Sequence, residues 1–156
     1  MIHVELSENK SLNLLNLVLD YNGTLAIDGI LIEGVADRLN LLTKNIAIHV
    51  ITADTFGKAA DNLSKINCRL TILNPGSEQK QKLEFITSLG RETVVAIGNG
   101  LNDKLMLEQA ALGIVVIQTE GAAIKTLQSA DVVSTNILDA LDLLLNPMRL
   151  KATLRL

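Results

Sequence analysis

Short apolar runs rich in β-branched residues recur at residues 14–19, 46–51, 69–73, 94–97, 113–117 and 131–133. Each has the length and character of a strand buried on both faces. Between them the apolar spacing changes to that of helices. Val35, Leu39 and Leu42 recur at i, i+4, i+7, and Leu83, Ile86 and Leu89 recur at i, i+3, i+6. Ile137, Leu141, Leu144 and Leu145 recur at i, i+4, i+7, i+8. Strands alternating with helices predict an α/β fold: a three-layer αβα, Rossmann-like parallel sheet with helices on both faces. Two further segments read as hairpins. Residues 1–6 are expected to pair with the first run across Ser7-Glu8-Asn9-Lys10. Residues 25–33, with Asp28-Gly29 at their centre, form a short flap just after that run.

The chain has 156 residues, which fits one domain spanning residues 1–156. Hydrophobic residues make up 48%, but charges interrupt them, and no apolar run reaches the roughly 18 residues of a membrane span. Residues 1–6 lack the basic region and apolar core of a signal peptide. The lone Cys68 excludes an internal disulfide framework. A cytoplasmic protein without a membrane partner is the expectation. A formal net charge of −3 and an aromatic content of 2% argue against nucleic acid as a partner, since neither a basic surface nor a stacking platform is available. His49 reads as a packed strand residue and Cys68 as a core thiol; no His/Cys cluster has zinc spacing.

In a parallel sheet, the carboxyl ends of neighbouring strands open onto one crevice. Four strand-end loops here carry phosphate chemistry. Asp20 follows the first run at once and leads into Tyr21-Asn22-Gly23-Thr24. An acid so placed can attack phosphorus and carry the phosphoryl group as an acyl phosphate. The second run ends in Thr52-Ala53-Asp54, where a hydroxyl and the free N–H groups of a following helix suit phosphate oxygens. Asp54 serves equally well as a cap for that helix. Lys80 and Lys82 open the third helical pattern, where a lysine can balance the charge of a phosphoryl group and of Asp20. Lys80, nearer the helix start, is the preferred candidate. The fourth loop is Gly98-Asn99-Gly100-Leu101-Asn102-Asp103, whose glycines permit a tight turn and whose Asp103 can hold Mg²⁺ beside Asp20. It lacks the third glycine of a dinucleotide fingerprint and follows the fourth strand rather than the first.

Asp20-Tyr21-Asn22-Gly23-Thr24, Thr52-Ala53-Asp54, a lysine at 80 or 82 and residues 98–103 resemble the four motifs of the haloacid dehalogenase (HAD) superfamily. The likeness runs from about residue 14 to residue 133. It is strongest to the phosphorylation domains of P-type ATPases, which carry Asp-Lys-Thr-Gly-Thr, Thr-Gly-Asp and Gly-Asp-Gly-x-Asn-Asp. The segment from Glu120-Gly121-Ala122-Ala123 to Ala130-Asp131-Val132-Val133 also resembles the stretch just beyond the last of these motifs. Without membrane helices or a nucleotide-binding insert, the chain is similar to the small, soluble, P-type-ATPase-like branch. The resemblance implies that Asp20 is the nucleophile that becomes aspartyl phosphate, that Thr52 binds phosphoryl oxygens, and that Lys80 or Lys82 neutralises the site. It implies Mg²⁺ held by Asp20, Asn22 through its backbone carbonyl, Asn99 and Asp103. Asn22, Gly23, Thr24, Ala53, Asp54 and Lys82 would surround the phosphate.

Two positions depart from the family pattern. Phosphatases of the superfamily usually carry Asp two residues after the nucleophile, as general acid and base, and Asn22 cannot move a proton. Asn99 stands where a metal-binding Asp is usual, keeping an oxygen but losing the charge. These departures imply a slow Mg²⁺-dependent phosphohydrolase acting on phosphomonoesters or ATP. The alternative is a non-catalytic, phosphate-binding regulatory module. A response-regulator receiver fits poorly, because no acidic pair precedes the acceptor. The stretches from Asp20 to Thr52 and from Thr52 to Lys80 have room for one helix and one strand each, the first with the flap as well. No cap domain is therefore expected, and an open site of this kind can be closed by a second copy in a homo-oligomer.

Overall fold

A computed structural model of the protein describes residues 1–54 and 56–155. Ten strands, seven α-helices and two short 3₁₀ helices are formed among them. The first two strands, β1 (Ile2–Ser7) and β2 (Lys10–Leu14), make an antiparallel hairpin with its own two-stranded sheet. The central strand, β3, is Asn16–Leu19. The expected run of residues 14–19 is thus divided at Leu15, and the partner of β1 is β2 rather than the central strand. The reason lies in the backbone of Leu15. Its N–H donates to the Thr93 carbonyl and its carbonyl accepts from Ala47 N–H, so from this residue onward the chain is paired on both sides inside the main sheet.

A second hairpin follows, β4 (Ala26–Ile27) and β5 (Ile30–Leu31), joined by Asp28-Gly29. Both turn residues have positive φ, 51° and 74°, as the twist of a two-residue hairpin demands. Then come α1 (Val35–Leu42), β6 (Ala47–Thr52), α2 (Ala59–Leu63), β7 (Arg69–Ile72), α3 (Glu78–Leu89) and β8 (Val94–Gly98). The chain ends with α4 (Lys104–Gln109), β9 (Leu112–Val116), α5 (Ile124–Leu127), β10 (Val132–Ser134), α6 (Ile137–Leu145) and α7 (Pro147–Leu154).

The main sheet has six parallel strands in the order β10-β9-β8-β3-β6-β7. Alternate residues of the strands serve opposite faces. Leu17, Leu19, Val95 and Ile97 meet Leu39, Leu141 and Leu150 of α1, α6 and α7. Val18, Val94 and Ala96 meet Ile86 of α3 and Met106 and Leu107 of α4. This gives the three layers that the pattern predicts. The apolar C-terminal residues dock on their own chain: Leu150 is buried, and Lys151 pairs with Glu5 of β1 at 3.2 Å. Leu156 lies outside the described residues. No helix among the described residues is long and apolar enough to cross a membrane.

The strand order reverses between β3 and β8. Chain connections leave these neighbours in opposite directions, which opens a crevice at their carboxyl ends. Among the described residues, only the β4–β5 hairpin and α1 lie between β3 and β6, and only α2 and β7 between β6 and α3.

Candidate active site

Asp20 is the first residue beyond β3, and its N–H is still bonded to the Ile97 carbonyl of β8. The carboxylate is thereby fixed at the strand end, over the reversal point. Beside it, β8 runs into Gly98 and a tight 3₁₀ turn that swings Asp103 back beneath the sheet end. Asp103 Oδ2 accepts from the backbone N–H groups of Asn99 and Gly100, at 3.0 and 2.9 Å. Gly98 is required there, because a Cβ would sit 2.4 Å from Asp103 Cγ.

Lys82 joins the two acids. Its Nζ donates to Asp20 Oδ1 and to Asp103 Oδ1, each at 2.6 Å, and both Lys82 and Asp103 are fully buried. Burial works against the Lys82 charge, but Asp20 and Asp103 outweigh it and raise its pKa, so the ammonium is retained. Burial raises the Asp20 carboxyl, Asp103 adds to this, and Lys82 pulls the other way; the result is a pKa pushed up to about 6. The expectation that Lys80 faces the site is corrected here. Lys80 lies on the solvent side of α3, its side chain 78% exposed and 3.6 Å from Glu84.

The remaining residues divide into those that line the crevice and those that hold it. Asp20, Asn22, Thr52, Ala53, Asn99, Gly100, Asn102 and Glu120 line an open cavity of about 260 Å³. Asn22 Oδ1 is the one buried side-chain oxygen or nitrogen among the described residues that has no hydrogen-bond partner. Thr52 Oγ1 accepts from the Asp54 N–H at 2.9 Å, and its own proton remains available. Asn99 is held by its amide, which donates to the Gly121 carbonyl at 3.0 Å. That bond directs Asn99 Oδ1 back toward the Thr24 hydroxyl, 3.2 Å away. Thr24, fully buried, also reaches Asp20 Oδ2 at 3.3 Å, so one hydroxyl proton is shared between the two acceptors.

Three sequence candidates stand behind the wall rather than in it. Thr24 braces Asp20 and Asn99. Gly23, with φ of 78°, lets the chain pass so close to Asn99 that a Cβ would lie 2.4 Å from its amide nitrogen. Asp54 caps α2: its Oδ1 accepts from the N–H groups of Lys58 and Ala59, both at 3.1 Å.

Two residues were not legible as site residues. Gln118 donates to the carbonyls of Gly23 and Thr24, at 2.9 and 2.6 Å, and accepts from Ile137 N–H, tying the Asp20 loop to α6. Glu120 accepts from the Asp28 N–H at 2.9 Å and stands in the cavity wall. On its other side the hairpin is held by Asn62, which donates to Tyr21 Oη and the Gly29 carbonyl. None of the hairpin's residues lines the cavity among those described. The available signals were a position just beyond β9 for both and, for Glu120, its place in the segment resembling the stretch beyond the last motif.

A second cavity of about 270 Å³ opens at the opposite ends of the strands, around Asn16, His49, Cys68 and Arg69. It has no carboxylate in its wall. His49 is packed edge-on against Phe85, and burial, then Arg69, lowers its pKa.

No family model matches the chain. The uncharacterized protein MJ0073 of Methanocaldococcus jannaschii is 54% identical over 84 residues, covering 51% of this chain and 90% of the relative. Among solved structures, the 3-deoxy-D-manno-octulosonate 8-phosphate phosphatase of Moraxella catarrhalis, in complex with magnesium, phosphate and KDO, aligns with a TM-score of 0.68 at 17% identity, over 85% of this chain and 86% of that one. The cobalt-bound phosphatase of the same name from Haemophilus influenzae gives 0.67 at 14%, over 86% and 88%. A hydrolase of Legionella pneumophila assigned to the HAD superfamily, subfamily III A, gives 0.68 at 20%, over 90% and 87%. The chain belongs to the same family as MJ0073, and its fold is that of the HAD superfamily hydrolases.

Proposed function

We propose that the protein is a divalent-cation-dependent phosphohydrolase working through an aspartyl phosphate on Asp20. The carrying observation is the placement of that carboxylate. It is fixed at the strand-order reversal, bonded to a buried lysine at 2.6 Å, and open to a cavity large enough for a phosphoryl group. Phosphatases with this fold, solved with magnesium or cobalt, support the reading.

A phosphomonoester would enter with its phosphoryl group against Thr52, the Ala53 backbone and Asn99. An Asp20 oxygen forms the new bond to phosphorus while the ester P–O bond breaks. Lys82 stays protonated and offsets the charge of both acids. Asn22 has no proton to give, so the departing alkoxide takes one from water. Water then attacks the acyl phosphate, releasing inorganic phosphate and restoring the carboxylate. General acid–base help is typically worth about 10²–10⁴ in rate, and its absence makes both steps slow.

The donor set fits a hard cation such as Mg²⁺. The donors that face the cavity are Asp20, Asn99 Oδ1 and the oxygens of Asn22, and the Asn22 side-chain oxygen has no other partner; both oxygens of the buried Asp103 are taken by Lys82 and by the Asn99 and Gly100 N–H groups, so Asp103 would join the cation only on giving up one of these bonds. Two carboxylates and one ammonium leave the site anionic, so a phosphate dianion needs further positive charge there. When bound, a divalent cation supplies that charge at the phosphoryl oxygens.

The test is phosphate release from p-nitrophenyl phosphate and from ATP, with Mg²⁺ or with EDTA, by wild type and Asp20→Asn. Release that requires the cation and the carboxylate supports the reading. Phosphate binding without release from either substrate leaves a non-catalytic phosphate-binding module, the reading that Asn22 favours.

A further inference from the structure

We propose that the mouth of this site selects phosphomonoesters of uncharged or cationic alcohols against those of anionic ones, and that Glu120 sets the selection. The proposal rests on the phosphomonoester reading above and goes beyond it in naming the substrate class.

Asp20, Thr52, Ala53, Asn99 and Gly100 lie at the strand ends and take the phosphoryl group, and Asn22 Oδ1 is buried beside them. Asn102 and Glu120, both exposed, remain for the alcohol. These are one amide and one carboxylate. No lysine or arginine lines the cavity among the described residues. The Lys82 ammonium is fully buried and bonded to Asp20 and Asp103.

Glu120 is also tethered. Its Oε1 accepts the Asp28 N–H of the hairpin turn at 2.9 Å, which keeps the carboxylate in the wall and leaves Oε2 free. A charge held at a site rim acts on ligands within the Debye length, about 8 Å at physiological ionic strength. A sugar acid or a nucleoside polyphosphate brings extra negative charge to this rim and meets no lysine or arginine among the described lining residues. A polyol meets the Asn102 amide, and an amino alcohol meets an opposite charge.

The experiment compares glycerol phosphate, phosphoethanolamine and phosphoglycerate, three small esters with neutral, cationic and anionic alcohol parts. kcat/KM is measured with Mg²⁺ for wild type, Glu120→Gln and Glu120→Lys. Glutamine keeps an acceptor for Asp28 N–H, so the hairpin bond survives the loss of charge. The expected result is phosphoglycerate disfavoured about tenfold in wild type, from one like-charge contact at partial screening. The gap narrows in Glu120→Gln and reverses in Glu120→Lys. Equal turnover of the three esters by all three proteins overturns the proposal while leaving the phosphohydrolase intact. If no ester is hydrolysed, the phosphohydrolase reading fails, and calorimetric binding of the same esters decides. Weaker binding of phosphoglycerate that Glu120→Lys reverses supports charge selection; equal binding, or none, overturns it.

Discussion

Lys82→Met removes the charge between Asp20 and Asp103 while keeping most of the buried stem. Two carboxylates are each left missing a 2.6 Å partner, Asp103 fully buried and Asp20 buried but open to the cavity. Breaking a buried pair by removing one partner costs about 3–5 kcal/mol, because the remaining charge is uncompensated. Against a total stability of about 5–15 kcal/mol, that is a large fraction. The loss should depend on pH in a defined direction. The Asp20 carboxyl already stands at about 6 with Lys82 present; without the lysine its main downward influence is gone and it rises further. The folded state then holds a proton that the unfolded chain, with an ordinary carboxyl near 4, has released. Stability contributed by that proton is full below the unfolded value and is lost as pH rises through the folded one. Urea unfolding at about pH 7.5 and about pH 5 reads this directly. The variant should lose about 3–5 kcal/mol at the higher pH and recover a sizeable part at the lower. Lys82→Met/Asp103→Asn should recover part of it at both. Equal losses at the two pH values, or a loss under about 1 kcal/mol at the higher, would refute the buried-charge reasoning. Lys80→Met is the control and should unfold like wild type.

Three further outcomes are expected. In metal-free protein, ¹³C NMR of the Asp20 carboxyl should titrate with a midpoint near 6, and Mg²⁺ should move it downward; an ordinary midpoint without metal would contradict the burial described. Gly98→Ala should displace Asp103, since the new Cβ would lie 2.4 Å from its Cγ; a fall in phosphate binding with the fold retained, seen by calorimetry and circular dichroism, is the expected reading. Asn22→Asp should raise kcat on alkyl phosphates by up to about 10²–10⁴, and an unchanged rate in a folded variant would remove position 22 from the explanation of slow turnover.

Much of this architecture was legible along the chain. The apolar runs marked every strand of the main sheet, and an acid directly after the first of them marked the strand end that matters. The division at Leu15 was not visible, because the apolar character continues across it; only its bonds to Thr93 and Ala47 show where the hairpin ends and the sheet begins. The choice between two lysines turned on helix phase. Lys82 lies one turn before the buried Ile86 and so shares its inward face, a signal present in the periodicity and outweighed by nearness to the helix start. Asp54 was ambiguous by nature, since a strand-end Asp before a helix suits a cap and a ligand alike; in the fold its carboxylate accepts from the Lys58 and Ala59 N–H groups at the start of α2. Gln118 and Glu120 are polar residues in a loop. Their roles arise only when β9 is laid beside β8 and the hairpin is folded across, contacts with no local trace in sequence.

The most direct test of the central claim is chemical capture at Asp20. The protein is incubated with Mg²⁺ and a phosphomonoester, quenched in acid, reduced with borohydride and digested for peptide mass spectrometry. An aspartyl phosphate is reduced to homoserine, so the peptide spanning residue 20 should carry homoserine at that position, and more of it in wild type than in Asn22→Asp, whose intermediate turns over faster. Release of phosphate with residue 20 still aspartate under every quench time would contradict the account, and would mean that the nucleophile is water or another group.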